Sequence, residues 1–181
     1  MTCIVGLEKN GTVWLGGDSA ATSGDLKQRV IGDPKVFVKD RFVFGICGLP
    51  KVMDELRYNI TLPKQEPGVT DREFVASSVV HAIKAGLKSG GCVEGDGGTE
   101  HFMGALLFGY GGTLYRMESN FQIITTAYGF DAVGSGADIA MGSLHGSQRS
   151  WSPKRRILTA LEASAINNAG VRPPFNIVKV K

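Results

Sequence analysis

The sequence predicts an α+β fold: a four-layer sandwich of two antiparallel sheets with a helix pair on each outer face. Two observations carry this. The apolar runs are short and are broken by glycine, which at 25 of 181 residues is about twice ordinary usage and marks many tight turns between strands. The elements also run strands, two helices, strands, two helices and a last strand, so helices do not alternate singly with strands as a parallel chain requires.

Taken in order, Cys3 to Gly17 reads as a hairpin turning at Asn10-Gly11, a dipeptide suited to the two-residue turn. Val36–Val38 and Arg41–Ile46 form a second hairpin around Lys39-Asp40. Leu49–Tyr58 has apolar residues at helical spacing, and Thr61–Gly68 is a Pro-rich loop. Thr70-Asp71-Arg72-Glu73 is a capping-box sequence. It opens a helix to about Leu87, with Phe74, Val75, Ser78, Val79, Ala82 and Ile83 facing inward. Gly90–Gly98 is a Gly-rich break, and no GK[ST] follows to make it a phosphate loop. Strands follow at His101–Gly109, Thr113–Met117 and Phe121–Tyr128, with Val133–Gly136 as a short connection. Ala137–Gly146 is a helix of small residues. Ser152-Pro153 caps a second helix reaching about Asn167, and Phe175–Val180 closes the fold.

Length and charge narrow the function. A chain of 181 residues suits one domain over 1–181, large enough to fold without staples. A net charge of +3 gives no footprint for nucleic acid, and the cluster Lys154-Arg155-Arg156 reads as a solvated helix face. Cys3, Cys47 and Cys92 are odd in number and widely spaced, which fits reduced thiols in a cytoplasmic protein. No apolar run is long enough to span a membrane, and the N-terminus lacks the pattern of a signal peptide.

The chemistry concentrates at the start. His81, His101 and His145 lie in unrelated contexts, and no zinc-ligand or nucleophile-elbow spacing occurs. Thr2 is different. Cells remove an initiator methionine efficiently when the next residue is small, which would leave Thr2 with a free α-amine. A threonine hydroxyl needs an adjacent base, and an α-amine with a pKa of about 7.7–8.0 is one. One residue then supplies both groups. With Met1 attached, Thr2 has no amine; with no propeptide before Thr2, activation is expected to rest on methionine removal.

The surroundings of Thr2 resemble a known family. Thr2-Cys-Ile-Val-Gly6, then Asn10-Gly11, then Gly17-Asp18-Ser19-Ala20-Ala21-Thr22 resembles the start of proteasome β-type subunits and of the bacterial HslV peptidase. Lys35-Val36 resembles the family's catalytic lysine and valine, one residue later than the family spacing; the extra residue is expected in the loop Gly24 to Pro34. Gly45-Ile46-Cys47-Gly48 resembles the segment that lends a backbone N–H to the oxyanion. Gly134-Ser135-Gly136-Ala137-Asp138-Ile139-Ala140 resembles the G-S-G-x-x-A segment. The resemblance covers residues 2 to 180. Near the last helix the family carries Asp-x-x-Ser; here Asn167 or Asn168 stands for the aspartate and the serine is missing. The ending Val171-Arg172-Pro173-Pro174 is similar to the bacterial proteasome relative Anbu.

The resemblance implies the N-terminal-nucleophile hydrolase fold and a threonine peptidase. Thr2 would be nucleophile and base, and Lys35 would lower the pKa values of both groups. Asp18 would aim Lys35, Gly48 would stabilise the oxyanion, Ser135 would orient the amine, and Asn168 would complete the site. It implies peptide or unfolded-protein substrates, a homo-oligomeric ring or stacked ring, an ATPase unfoldase as partner, and no metal or organic cofactor. Two alternatives remain: a catalytically inactive relative kept for assembly or binding, and a small-molecule amidase of the same fold.

Overall fold

The computed structural model describes residues 1–22 and 28–181. β1 (Ile4–Lys9) and β2 (Thr12–Gly17) form the first hairpin. Asn10 and Gly11 at its tip both have positive φ, 52° and 67°, as the expected two-residue turn demands. β3 (Ala20–Thr22) and β4 (Gln28–Val30) make a small ribbon. β5 (Val36–Lys39) and β6 (Phe42–Gly48) make the second hairpin. Helix α1 covers 50–59 and helix α2 covers 71–89. Then come β7 (Val93–Asp96), β8 (Thr99–Phe102), β9 (Gly104–Tyr110), β10 (Thr113–Met117), β11 (Ile123–Thr125) and β12 (Phe130–Val133). Helices α3 (Ala137–Gly146) and α4 (Pro153–Asn167) precede β13 (Asn176–Val180). Among the described residues no helix is long and apolar enough to cross a membrane.

The strands form two antiparallel sheets, ordered β12-β1-β2-β13 and β11-β10-β9-β6-β5. The central strands bury both faces, and alternation decides which residue serves which. On β1, Ile4 joins Val13, Leu15, Val43, Leu107 and Leu114 in the layer between the sheets. Its neighbours Cys3, Val5 and Leu7 face α3 and α4. On β6, Val43 faces inward while Phe42, Phe44 and Ile46 meet α1 and α2. The result is the four-layer sandwich.

Several sequence expectations need correction. The inward stripe of α2 is Phe74, Val75, Val79, Val80, Ile83 and Leu87; Ser78 is exposed and Ala82 only half-buried. The cause is a wider π-type turn over Val75–Val79, which shifts the stripe relative to a regular helix. The Gly-rich break holds a hairpin, β7–β8, turning at Gly97 and Gly98. The strand read as His101–Gly109 is interrupted at Met103, because Gly104 has a φ of +150° and restarts the ladder. Phe121, with φ of +67°, shortens the Phe121–Tyr128 strand to β11, and β12 occupies residues that read as loop and connection. Arg156 is buried rather than solvated: its guanidinium donates to Ser147 Oγ and to Leu144 O at the end of α3, both at 2.8 Å. The extra residue expected within Gly24 to Pro34 falls partly on 23–27, outside the described residues.

The sheets approach most closely where side chains are missing. A Cβ at Gly109 would lie 2.5 Å from Val13 Cβ and 2.9 Å from Val43 Cγ1. We expect Gly109→Ala to destabilise the protein by about 1–3 kcal/mol through overpacking. Urea unfolding read by tryptophan fluorescence measures this, and an unchanged midpoint would mean that the two sheets separate freely here.

Candidate active site

The register of the first sheet assembles the site. Ile4 pairs with Gly17 on one side and Val133 on the other. Thr2, just before β1, therefore lies beside the exits of β2 and β12, where Asp18 and Ser135 stand. Backbone bonds from Asp18 N to Cys3 O (3.3 Å) and from Gly136 N to Thr2 O (3.2 Å) hold these exits in place. Lys35 enters from the other sheet, its carbonyl accepting from Ile46 N at 3.2 Å.

Asp18 is fully buried. Its Oδ1 accepts from Lys35 Nζ at 2.9 Å and from Cys3 N at 3.0 Å. Its Oδ2 accepts from Ala20 N at 2.9 Å and Arg172 N at 3.3 Å. The bond to Ala20, two residues on, is the local turn that aspartate makes readily. Lys35 is 7 % exposed and donates to Thr2 Oγ1 at 3.0 Å. Thr2, 8 % exposed, donates its hydroxyl to Met1 O at 2.7 Å and its N–H to Ser135 Oγ at 3.3 Å. An ammonium is thus aimed at a hydroxyl and held by a carboxylate behind it.

The remaining candidates surround this core. Asn168 Nδ2 donates to Ser135 O at 2.7 Å, and its Oδ1 accepts from Gly170 N at 2.9 Å. Asn167 is exposed and bonds back to Ala163 O at 3.0 Å, so Asn168 is the asparagine brought to the site. Gly48, with φ of +124°, closes the ladder opposite Gly104, where a Cβ would lie 2.2 Å from Met103 O. It lines a cleft of about 130 Å³ that has Thr2 and Lys35 at one end and Ile31, Ile46, Leu49 and Met53 as apolar wall. Met1 enters this cleft: its amine donates to Thr22 Oγ1 at 3.1 Å, and its side chain lies where a Cβ on Gly170 would be.

Sequence reasoning missed Ala20 and Arg172, whose contributions are backbone N–H groups and leave no side-chain signature. It also missed Ser164 on α4, fully buried, which donates to Gly136 O and Ala160 O at 3.0 and 2.9 Å and accepts from Cys3 Sγ at 3.6 Å. Burial pushes the Cys3 thiol up to about 11 and raises that of Cys47 as well, so neither offers a thiolate at neutral pH beside Thr2. All three cysteines are free. His145 packs edge-on against Tyr128 and Phe130. Among the described residues no group of His, Cys, Asp and Glu side chains is arranged to hold a metal.

No protein-family model matches the sequence, and no curated protein matches it. Solved structures do. BPH from Thiobacillus denitrificans, in complex with epoxomicin, superposes with a TM-score of 0.81 at 13% identity over 99% of this chain and 98% of that one. HslV from Trypanosoma brucei gives 0.70 at 18% identity, over 99% of each chain. Anbu from Yersinia bercovieri gives 0.68 at 14%, covering 99% of this chain and 81% of the other. The chain therefore has the fold of these proteins, the N-terminal-nucleophile hydrolase fold that the sequence resemblance implied.

Two measurements test the geometry. Asp18→Ala strands a buried ammonium and should cost about 3–5 kcal/mol, whereas adding Lys35→Met should recover part of that loss. A double-mutant cycle in urea reads the coupling; strictly additive losses would show that the pair does not act as a unit. Cys3 predicts an alkaline effect. Its thiol is held neutral in the folded state, so this contribution to stability is complete below pH 9.0 and fades as pH rises towards about 11. Cys3→Ala should flatten the loss of stability with pH in that window, as followed by thermal melts.

Proposed function

We propose that this protein is a threonine peptidase of the proteasome β/HslV type, with Thr2 as its nucleophile once the Met1–Thr2 bond is cut. The observation that carries the reading is the chain Asp18–Lys35–Thr2, a buried carboxylate, a buried ammonium and a hydroxyl linked at 2.9 and 3.0 Å. Such a chain lowers the cost of developing negative charge on the hydroxyl oxygen.

The freed Thr2 amine takes the hydroxyl proton while Oγ1 bonds to the substrate carbonyl carbon. Gly48 N–H is the proposed donor to the resulting oxyanion. Collapse breaks the C–N bond, and the ammonium returns its proton to the leaving nitrogen. Water, deprotonated by the same amine, then cleaves the acyl ester and regenerates Thr2. Ser135 holds the nitrogen at 3.3 Å, and Asn168 positions Ser135 through its carbonyl. Peptides or unfolded proteins are the substrates in this reading; a homo-oligomeric ring, an ATPase unfoldase as partner and a cytoplasmic setting belong to it and rest on the resemblance.

One observation favours a second reading, a silent relative with an assembly role. Asn168, which stands where the resemblance expects an aspartate, reaches Ser135 O but brings no charge to the site. Incubation with epoxomicin, followed by intact mass, separates the two. The reagent needs both the hydroxyl and the free amine of an N-terminal threonine. In protein starting at Thr2 we expect one added inhibitor mass, formed at least about 100-fold more slowly in Lys35→Ala. No adduct on protein starting at Thr2 overturns the peptidase reading.

A further inference from the structure

Lys35 leaves the backbone between two peptide planes, and a different element holds each. The plane after it is held by β6, because Lys35 O accepts from Ile46 N at 3.2 Å. The plane before it is held by α1, because Arg57 Nη2 donates to Pro34 O at 2.5 Å. Fixing both planes fixes φ and ψ at Lys35, and with them the direction of its Cα–Cβ bond. Lys35 itself precedes β5, and the β5–β6 ladder starts at the pair Val36 and Gly45. The bond from Arg57 thus acts where strand pairing has not yet begun.

The arginine is itself anchored. Its guanidinium lies over the Phe37 ring, 4.5 Å from the centroid, and that ring packs against Phe44. A planar guanidinium can stack and donate in a fixed direction at once. The end of α1 that carries Arg57 is a wide π-type turn, in which Ile60 N reaches back to Glu55 O at 2.9 Å. The carbonyls of Leu56, Arg57 and Ile60 accept from Lys39 Nζ at 2.8, 3.1 and 2.6 Å. A cation on the last carbonyls of a helix also meets the negative end of its dipole. One cation therefore runs from α1 to the entry of β5, and a second runs from the end of β5 back to α1. We propose that Arg57 is a positioning residue for the reaction at Thr2: it holds the Pro34–Lys35 peptide plane so that the Lys35 ammonium is aimed at the Thr2 hydroxyl, and Lys39 locks the helix turn that carries it. This rests on the peptidase reading above. Arg57 has Pro34, Phe37 and Tyr58 as its partners and acts only through Lys35. A displacement of about 1 Å in such an arrangement costs on the order of 100-fold in rate. Asp18 still holds Lys35 Nζ when Arg57 is lost, so the effect is a part of that.

The charged groups facing Thr2 are Lys35 and, behind it, Asp18. In protein starting at Thr2, the α-amine should titrate below its usual range of about 7.7–8.0, because an ammonium stands beside it. Trace acetylation across a pH series, with the N-terminal peptide quantified by mass spectrometry, reads that titration whether or not any peptide is cleaved. Arg57→Met keeps a stem against Phe37 and removes the donor. It should move the amine titration up towards the usual range and slow epoxomicin adduct formation about tenfold, at an unchanged half-saturating inhibitor concentration. Lys39→Met should act in the same direction, and Arg57→Lys, which restores a donor, should recover part of both effects. Arg72→Ala removes a comparable bond on α2, from Arg72 Nη2 to Ile123 O at 3.0 Å, and should change neither readout. An amine titration that is the same in the parent, Arg57→Met and Lys39→Met overturns the proposal. Slower adduct formation with the titration unmoved overturns it too, as does a parent amine that already titrates in the usual range. If Arg57→Met does not fold, the titration in Lys39→Met decides. A parent that forms no adduct but whose amine titration moves in Arg57→Met counts against the peptidase reading alone.

Discussion

A carboxylate with no exposure at all is costly unless each of its lone pairs is met, and Asp18 is such a group. Its partners come from four separate places: the start of β1 through Cys3, the start of β3 through Ala20, the approach to β5 through Lys35, and the approach to β13 through Arg172. Satisfying one side chain therefore requires both sheets and the closing segment to converge on one point. The same convergence sets Lys35 against Thr2. The polar centre cannot be loosened without unpairing a buried charge, so the position of the hydroxyl is fixed by the cost of disturbing what lies behind it.

Around that centre the packing supplies rigidity rather than chemistry. The layer between the sheets is thin, with glycines where opposing side chains would collide. Close-packed layers resist small displacements, which is what a site dependent on ångström placement requires. The crossing of Gly48 and Gly104 does the same at the rim. It makes β9 restart after Met103, so one backbone constraint shapes the rim of the cleft at Gly48.

Much of this was legible in the chain. The hairpin at Asn10-Gly11, the cap at Thr70, the Ser152-Pro153 helix start and the closing strand all follow from local chemistry, and the structure has each of them. Asp18, Lys35, Ser135 and Thr2 were legible because their order and spacing resemble a known pattern. Proximity across 133 positions, as between Thr2 and Ser135, has no local signal. What escaped was of two kinds. Backbone donors such as Arg172 N are invisible in residue type. Conformations set by packing, such as the wide turn in α2 or the inward Arg156, depend on neighbours that the local pattern does not name.

The covalent link between Met1 and Thr2 decides what the Thr2 nitrogen can do. In the peptide bond the Thr2 nitrogen shares its lone pair with the Met1 carbonyl, so it donates to Ser135 but cannot take a proton. The hydroxyl meanwhile spends its own proton on Met1 O. Every side chain around Thr2 is already placed, and a single bond separates this arrangement from one that holds a base. Met1 itself is one of the residues that line the cleft. Cutting the bond would thus change the chemistry available at Thr2 and remove one lining residue.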